Sequence, residues 1–172
     1  MAHLSYLADW SRPDPPRLQP VDDRVMGGRS ASRFRIAPEG IGVFEGVVSL
    51  ENNGGFASVR SGIDNVDLGS AAGVLIRVRG DGSHYRLSLR NDRRLSGINY
   101  FHDFEPPVEE WGEIGLPFPG FRPSVRGRVP PNAPPLDRTR LRQIGLMIAD
   151  RQAGPFRLEV AWIRGWSGAP SG

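Results

Sequence analysis

The 172-residue chain contains no cysteine and no lysine. The first absence excludes disulfides, thiol nucleophiles and cysteine-ligated zinc or iron–sulfur centres. The second makes all 22 basic residues arginine. Genomic codon bias is one source of such a composition. An interface of planar donors that fork to carboxylates or stack on aromatics is another. No apolar run approaches the roughly 20 residues that a membrane-spanning helix needs. The segment from Met1 to Trp10 carries Asp9 and has neither a basic start nor a long apolar run. It reads neither as a secretory signal nor as an arginine- and serine-rich transit peptide, so the expectation is a soluble cytoplasmic protein. The net charge of +3 is too small to define a nucleic-acid groove.

Signals for catalysis are equally sparse. The three histidines are His3, His84 and His102. His102 stands beside Asp103, but neighbours on a strand point to opposite faces, which opposes a base–orienter dyad. The adjacent acids Asp22-Asp23 and Glu109-Glu110 sit in polar turns, and no metalloprotease or EF-hand spacing accompanies them. Gly27-Gly28 and Gly54-Gly55 fit neither the Walker pattern nor the dinucleotide fingerprint. The expectation is therefore a protein that is not an enzyme, with no metal and no cofactor.

What the chain has in quantity is turn chemistry: 22 glycines and 16 prolines. These suit many short elements and oppose a helical bundle. Period-2 or β-branched runs predict strands at Ile41–Leu50 (broken by Gly42 and Gly46), Phe56–Arg60, Gly73–Arg79, Tyr85–Arg90, Ile98–Phe104, Trp111–Leu116, Gln143–Ala149 and Phe156–Ile163. Asp81-Gly82 reads as the turn of a hairpin joining the third and fourth of these. In the last run Phe156, Leu158, Val160 and Trp162 share a face. Gly120–Pro135 reads as a long proline-rich loop, and Leu136–Arg142 as a helical turn capped by Asp137. The expected organisation is an extended proline-rich lead-in over 1–20, one sandwich domain over 21–166 and a flexible tail over 167–172. One polar face per strand argues for antiparallel sheets packed face to face, a sandwich or jelly roll.

Three segments in order carry a family resemblance: Asp22-Asp23-Arg24-Val25-Met26-Gly27-Gly28-Arg29-Ser30, then Phe44-Glu45-Gly46 with Leu50-Glu51-Asn52-Asn53-Gly54-Gly55-Phe56-Ala57-Ser58-Val59-Arg60, then Arg79-Gly80-Asp81-Gly82. Trp111, Pro117-Phe118, Gly127-Arg128, Ile144-Gly145-Leu146-Met147 and Gly154-Pro155-Phe156-Arg157-Leu158 follow. From Trp10 to about Ile163 the chain resembles the complex I intermediate-associated protein 30 family. The resemblance implies an all-β, galactose-binding-like jelly-roll β-sandwich, antiparallel and similar to carbohydrate-binding modules. It also implies a role in assembling respiratory NADH:ubiquinone oxidoreductase without joining the finished enzyme. The expectation is a bacterial, domain-only form without the N-terminal extension of the mitochondrial members. The family supplies no catalytic residues to carry over.

Two binding surfaces are in view. An assembly factor or chaperone would dock respiratory complex I subunits or intermediates through arginine-rich strand faces. If the strands of Arg77 and Arg79 and of Arg86 and Arg90 pair, four guanidinium groups crowd one face. Acids such as Asp81 or Asp103, or a partner's acids, would have to neutralise them. A carbohydrate or small-ligand module would instead use aromatic platforms and polar forks, for which Trp10, Tyr100, Arg60, Arg86 and Asn99 are suitable types. RNA binding is a weaker third reading. Two glycine-hinged loops are further site candidates: Asp23, Arg24, Met26, Gly27 and Gly28 in one, Asn52 and Asn53 beside Gly54 and Gly55 in the other.

Overall fold

The computed structural model describes residues 5–21, 31–51, 55–92, 97–125 and 128–168. The described residues form twelve strands: β1 Tyr6–Asp9, β2 Gln19–Pro20, β3 Ala31–Ala37, β4 Ile41–Val48, β5 Ala57–Val66, β6 Gly73–Arg79, β7 Tyr85–Arg90, β8 Asn99–Phe104, β9 Gly112–Pro117, β10 Arg122–Ser124, β11 Leu141–Ile148 and β12 Gly154–Trp166. They pair antiparallel into two sheets. The first runs β3-β4-β12-β6-β9, with β1 also paired to β12. The second runs β10-β8-β7-β11-β5-β2. The architecture is the expected antiparallel jelly-roll sandwich.

Alternation in the sequence fills the space between the sheets. Val74, Ile76 and Val78 descend from the first sheet, and Tyr85, Leu87 and Leu89 rise from the second, all buried. Phe44, Tyr85 and Phe156 form the aromatic centre. Phe44 meets Phe156 at 4.9 Å between ring centroids and Tyr85 at 6.3 Å, both edge-to-face. That geometry suits the ring quadrupoles and adds to the area each ring removes from water.

Several local expectations are corrected. Asp81-Gly82 joins strands of different sheets, so it is a corner and not a hairpin: β6 pairs with β12 and β9, whereas β7 pairs with β11 and β8. The Asp81 carboxylate holds this corner by accepting from Tyr85 Oη at 2.8 Å and from the Arg157 backbone N–H at 2.7 Å. Period-2 patterning tells a strand which face to bury but not which neighbour to pair with.

In β12 the alternation changes phase. Val160 opposes Val78 and Trp162 opposes Arg77, so Ala161 is an extra, bulged residue. Ile163 takes the core position, fully buried, and Trp162 turns outward against Tyr6 and under Arg164. Gly42 and Gly46 do not break β4; a Cβ at Gly42 would lie 2.5 Å from the Phe34 ring, so glycine makes room for a neighbour there.

The helical turn at Leu136–Arg142 is absent. Asp137 caps only a tight turn, accepting from the Thr139 N–H and hydroxyl, and Leu141 opens β11 in the core. Part of the proline-rich loop is strand, since β10 pairs with β8. Ahead of Val21 the extended chain supplies β1 and β2, and Leu7, Ala8, Trp10 and Leu18 are buried in the common core. No helix among the described residues is long and apolar enough to cross a membrane.

Candidate functional site

The two outer faces of the sandwich differ in how their charges are satisfied. On the first sheet an ion ladder crosses the strands. Glu45 accepts from Arg33 and Arg35 at 3.0 Å each and from Arg157 at 3.3 Å. Arg157 also reaches Glu159 at 3.1 Å, and Glu159 accepts from Arg79 Nε at 2.9 Å. Arg77 pairs with Glu113 at 3.4 Å, and Trp111 lies beneath both Arg77 and Arg79. Burial alone would raise the Glu45 carboxyl, but the hydrogen bonds and charges of Arg35 and Arg33 hold it below its ordinary value. The four arginines expected on one face are therefore divided. Arg77 and Arg79 lie on the first sheet, Arg86 and Arg90 on the second, because their strands do not pair.

On the second sheet the register aligns one residue from each of six strands: Gln19, Arg60, Gly145, Ser88, Phe101 and Arg122. A neighbouring row holds Ser58, Met147, Arg86 and Asp103. A third holds Gly62, Gln143 and Arg90. Polar side chains on an outer sheet face are ordinarily exposed, yet Ser58, Arg90 and Gln143 are 7%, 8% and 5% exposed. They surround a cavity of about 20 Å³ that Arg60, Ser88 and Asn99 also line, with Gly145 among its walls. A Cβ at Gly145 would stand 3.1 Å from the Val59 carbonyl oxygen and 3.4 Å from the Cβ atoms of Arg60 and Ser88. The absent side chain is what opens this space.

Two polar atoms at this cavity have no hydrogen-bond partner among the described residues: Arg60 Nη1, a donor, and Asn99 Oδ1, an acceptor. Leaving such a group buried and unmatched costs about 1–3 kcal/mol. Burial lowers the Arg60 guanidinium below its ordinary value. Burial, with the Arg60 charge beside it, pulls Arg90 down to about 10. Arg90 donates to the Gly97 carbonyl at 3.0 Å.

Beyond the cavity the face is paired. Arg86 and Arg122 stack on Phe101, at 4.6 Å and 4.7 Å from the ring centroid, and both reach Asp103. Arg86 also reaches Asp150, which engages His84 Nε2 at 2.8 Å. The His84 hydrogen bond and the Arg86 charge hold the Asp150 carboxyl below its ordinary value, against the opposing effect of burial. His102 engages the backbone carbonyl of Asp103 through Nδ1, and its ring packs on Phe121. Among the described residues no group of three His, Asp or Glu side chains is placed to hold a metal ion.

Of the residues singled out from sequence, Arg60, Arg86 and Asn99 meet on this face. Tyr100 does not: it is 4% exposed in the core, and its hydroxyl donates to the Pro134 carbonyl. Its neighbour Phe101 is the ring on the outer face. Trp10 is buried too, donating through Nε1 to the Pro16 carbonyl. Asp23, Arg24, Met26, Gly27, Gly28, Asn52 and Asn53 lie outside the described residues. The sequence reading named Arg90 among the docking arginines but missed Ser58, Ser88, Gln143 and Gly145 as site residues. A signal for the last two existed, because Gln143 and Gly145 interrupt the apolar set Leu141, Ile144, Leu146, Met147 and Ile148 of a central strand.

The fold is a jelly-roll sandwich of the kind seen in carbohydrate-binding modules. The structure superposes on the family 11 carbohydrate-binding module of cellulosomal cellulase Lic26A-Cel5E of Clostridium thermocellum with a TM-score of 0.69 at 13% identity, covering 96% of each chain. A family 11 module of that organism in complex with a β-1,3-1,4-mixed-linked tetrasaccharide gives 0.67 at 14% identity, over 95% of this chain and 96% of that one. In sequence, residues 9–160 match the family model of complex I intermediate-associated protein 30. The chain belongs to that family. The mitochondrial complex I intermediate-associated protein 30 of Mus musculus is 34% identical over 95 residues, which is 52% of this chain and 29% of the mouse protein. The match thus spans under a third of that relative's length.

Proposed function

We propose that this domain is a non-catalytic binding module that holds a protein partner on the outer face of its second sheet. The partner is a subunit or assembly intermediate of respiratory complex I, or of a related membrane-associated complex. The observation that carries this reading is the contrast between the faces. The first sheet pairs five of its arginines with Glu45, Glu113 and Glu159 across five strands. The second buries polar groups at its centre and leaves a donor and an acceptor there unmatched. Groups that lower the stability of the free protein are explained when a bound partner completes them. Family membership supports complex I intermediates as the class of partner.

The test is genetic and biochemical together. A tagged chain, expressed from its own locus, is expected to recover respiratory subunits, and a deletion strain is expected to accumulate less intact complex I on native gels. Recovery of no respiratory subunit, combined with normal complex I in the deletion strain, would refute the assembly role.

A carbohydrate module is the second reading, and the likeness to a family 11 module bound to a tetrasaccharide favours it. That likeness concerns the fold. Among the described residues, the rows of this face carry one aromatic ring, Phe101, and two guanidinium groups already stack on it. Sugar platforms need a free ring face, so the protein reading fits better.

A further inference from the structure

The proline-rich segment ahead of β11 is tied to the second sheet twice. Tyr100 Oη donates to the Pro134 carbonyl at 2.6 Å. The Asn91 side chain donates to the carbonyls of Asp137 and Arg140 and accepts from the Asp137 N–H. Prolines fix φ and carry no N–H, so the segment keeps an extended course with few donors of its own. Against it lies a cavity of about 460 Å³, lined by Phe118, Phe121, Pro123, Pro134, Leu136 and Arg138 among others. Small-molecule sites commonly measure about 300–1,000 Å³ and are mostly apolar and aromatic, with a few placed polar groups. The charged group in this lining is Arg138. Its guanidinium lies 5.2 Å from the Phe118 ring centroid, and Nη1 donates to the Ala71 carbonyl at 3.1 Å. Arg138 is exposed, and among the described residues no carboxylate pairs with it. The Asp137 carboxylate beside it accepts from Thr139 instead. The guanidinium keeps further N–H donors to give.

We propose that this cavity binds a carboxylate carried on a compact apolar body, aryl or branched aliphatic. The body packs against Phe118, Phe121 and Leu136, and the carboxylate accepts from Arg138. The lining selects that class by exclusion. A neutral apolar molecule gains from the walls but leaves the guanidinium without an anion, and charge-assisted N–H···O⁻ bonds are the stronger kind. Inorganic phosphate meets the guanidinium and gains nothing from the walls. A sugar brings hydroxyls to walls whose prolines offer no N–H. Arg138 is also oriented before any ligand arrives. The Phe118 ring and the Ala71 carbonyl hold its guanidinium, so less side-chain freedom is lost on binding. This cavity shares no lining residue with the one around Gly145, so it stands apart from the face assigned to the protein partner. Such a carboxylate arrives either as a free acid or as the chain end of a polypeptide.

The test is an amide NMR titration of the full chain with five probes at millimolar concentration: phenylacetate, phenylacetamide, acetate, inorganic phosphate and the tripeptide Gly-Gly-Phe with a free carboxyl end. Phenylacetate is expected to shift the Phe118, Phe121 and Arg138 signals saturably. Phenylacetamide has the same shape without the charge and is expected to bind about fivefold more weakly or worse. Acetate and phosphate are expected to produce no saturable shift there. Arg138→Gln is expected to bring phenylacetate down to the level of phenylacetamide and to leave phenylacetamide unchanged. Arg77→Gln, on the first sheet, is expected to change neither by as much as twofold. Tighter binding of the tripeptide than of phenylacetate assigns the site to a chain end, and the reverse order assigns it to a free acid. The site is overturned if neither carboxylate gives a saturable shift in the wild-type protein, if phenylacetamide or phosphate does as well, or if Arg138→Gln binds phenylacetate undiminished. The comparison of acid with amide on the wild-type protein decides the matter even where the variant fails to fold.

Discussion

At the scale of single residues, the structure distinguishes side chains that support the fold from those that burden it. Arg60 burdens it, because one of its donors is buried without an acceptor. Arg60→Met keeps most of the apolar stem and removes the unmatched group. The unbound protein is therefore expected to melt higher, by about 2–4 °C for each kcal/mol gained in a chain of this size. Calorimetry checks this, and a lower midpoint would mean that Arg60 holds a stabilising contact. Glu45 is the opposite kind of residue. Its folded-state carboxyl titrates below its unfolded value, so its contribution is complete above about pH 5 and is lost as pH falls through the folded value. Glu45→Gln is expected to flatten the acid limb of a stability-versus-pH curve below about pH 5, where wild type loses stability. Parallel curves for the two proteins would contradict the ladder's role. Asp150, held down by His84 and Arg86, acts in the same direction.

At the scale of elements, β12 and β11 carry the argument. The bulge at Ala161 lets one long strand serve the core with Phe156, Leu158 and Val160 and then again with Ile163. Exchanging the two side chains, Trp162→Ile with Ile163→Trp, would drive an indole into the space that Ile163 fills. A loss of several kcal/mol, or failure to fold, is expected on chemical denaturation, because a core gains from shape as well as from area. An exchanged variant of wild-type stability would show that the phase change is incidental. In β11, Gly145 separates Arg60 from Ser88, and Gly145→Val is expected to fill the cavity and abolish binding on this face.

These two strands also mark the limit of what sequence conveys. Alternation was legible in the runs around Val74 and Tyr85, because one apolar face per strand has to be buried. The bulge was not, since Trp162 and Ile163 are both apolar and either satisfies the pattern locally. Nor was the pairing of β6 and β7, which depends on distant β9, β11 and β12. Tyr100 and Phe101 could not be separated as core and surface for the same reason. Arg60 and Arg86 were legible as site candidates by chemical type. Gln143 and Gly145 were legible as interruptions of an apolar run, but their place needed the register that sets Gly145 between Arg60 and Ser88 and Gln143 between Gly62 and Arg90.

At the scale of the whole molecule, the sandwich divides its labour. The aromatic centre of Phe44, Tyr85 and Phe156 ties the two sheets together. Phe44→Ala is expected to cost about 3–5 kcal/mol in urea unfolding. One outer face is closed upon itself by ion pairs, and the other is left incomplete at its centre. The most direct test of that division compares two single variants in one co-purification from the native host, Arg60→Gln and Arg77→Gln. The account predicts that the first loses the respiratory subunits recovered by wild type while the second keeps them. Loss with Arg77→Gln and retention with Arg60→Gln would place the binding face on the wrong sheet.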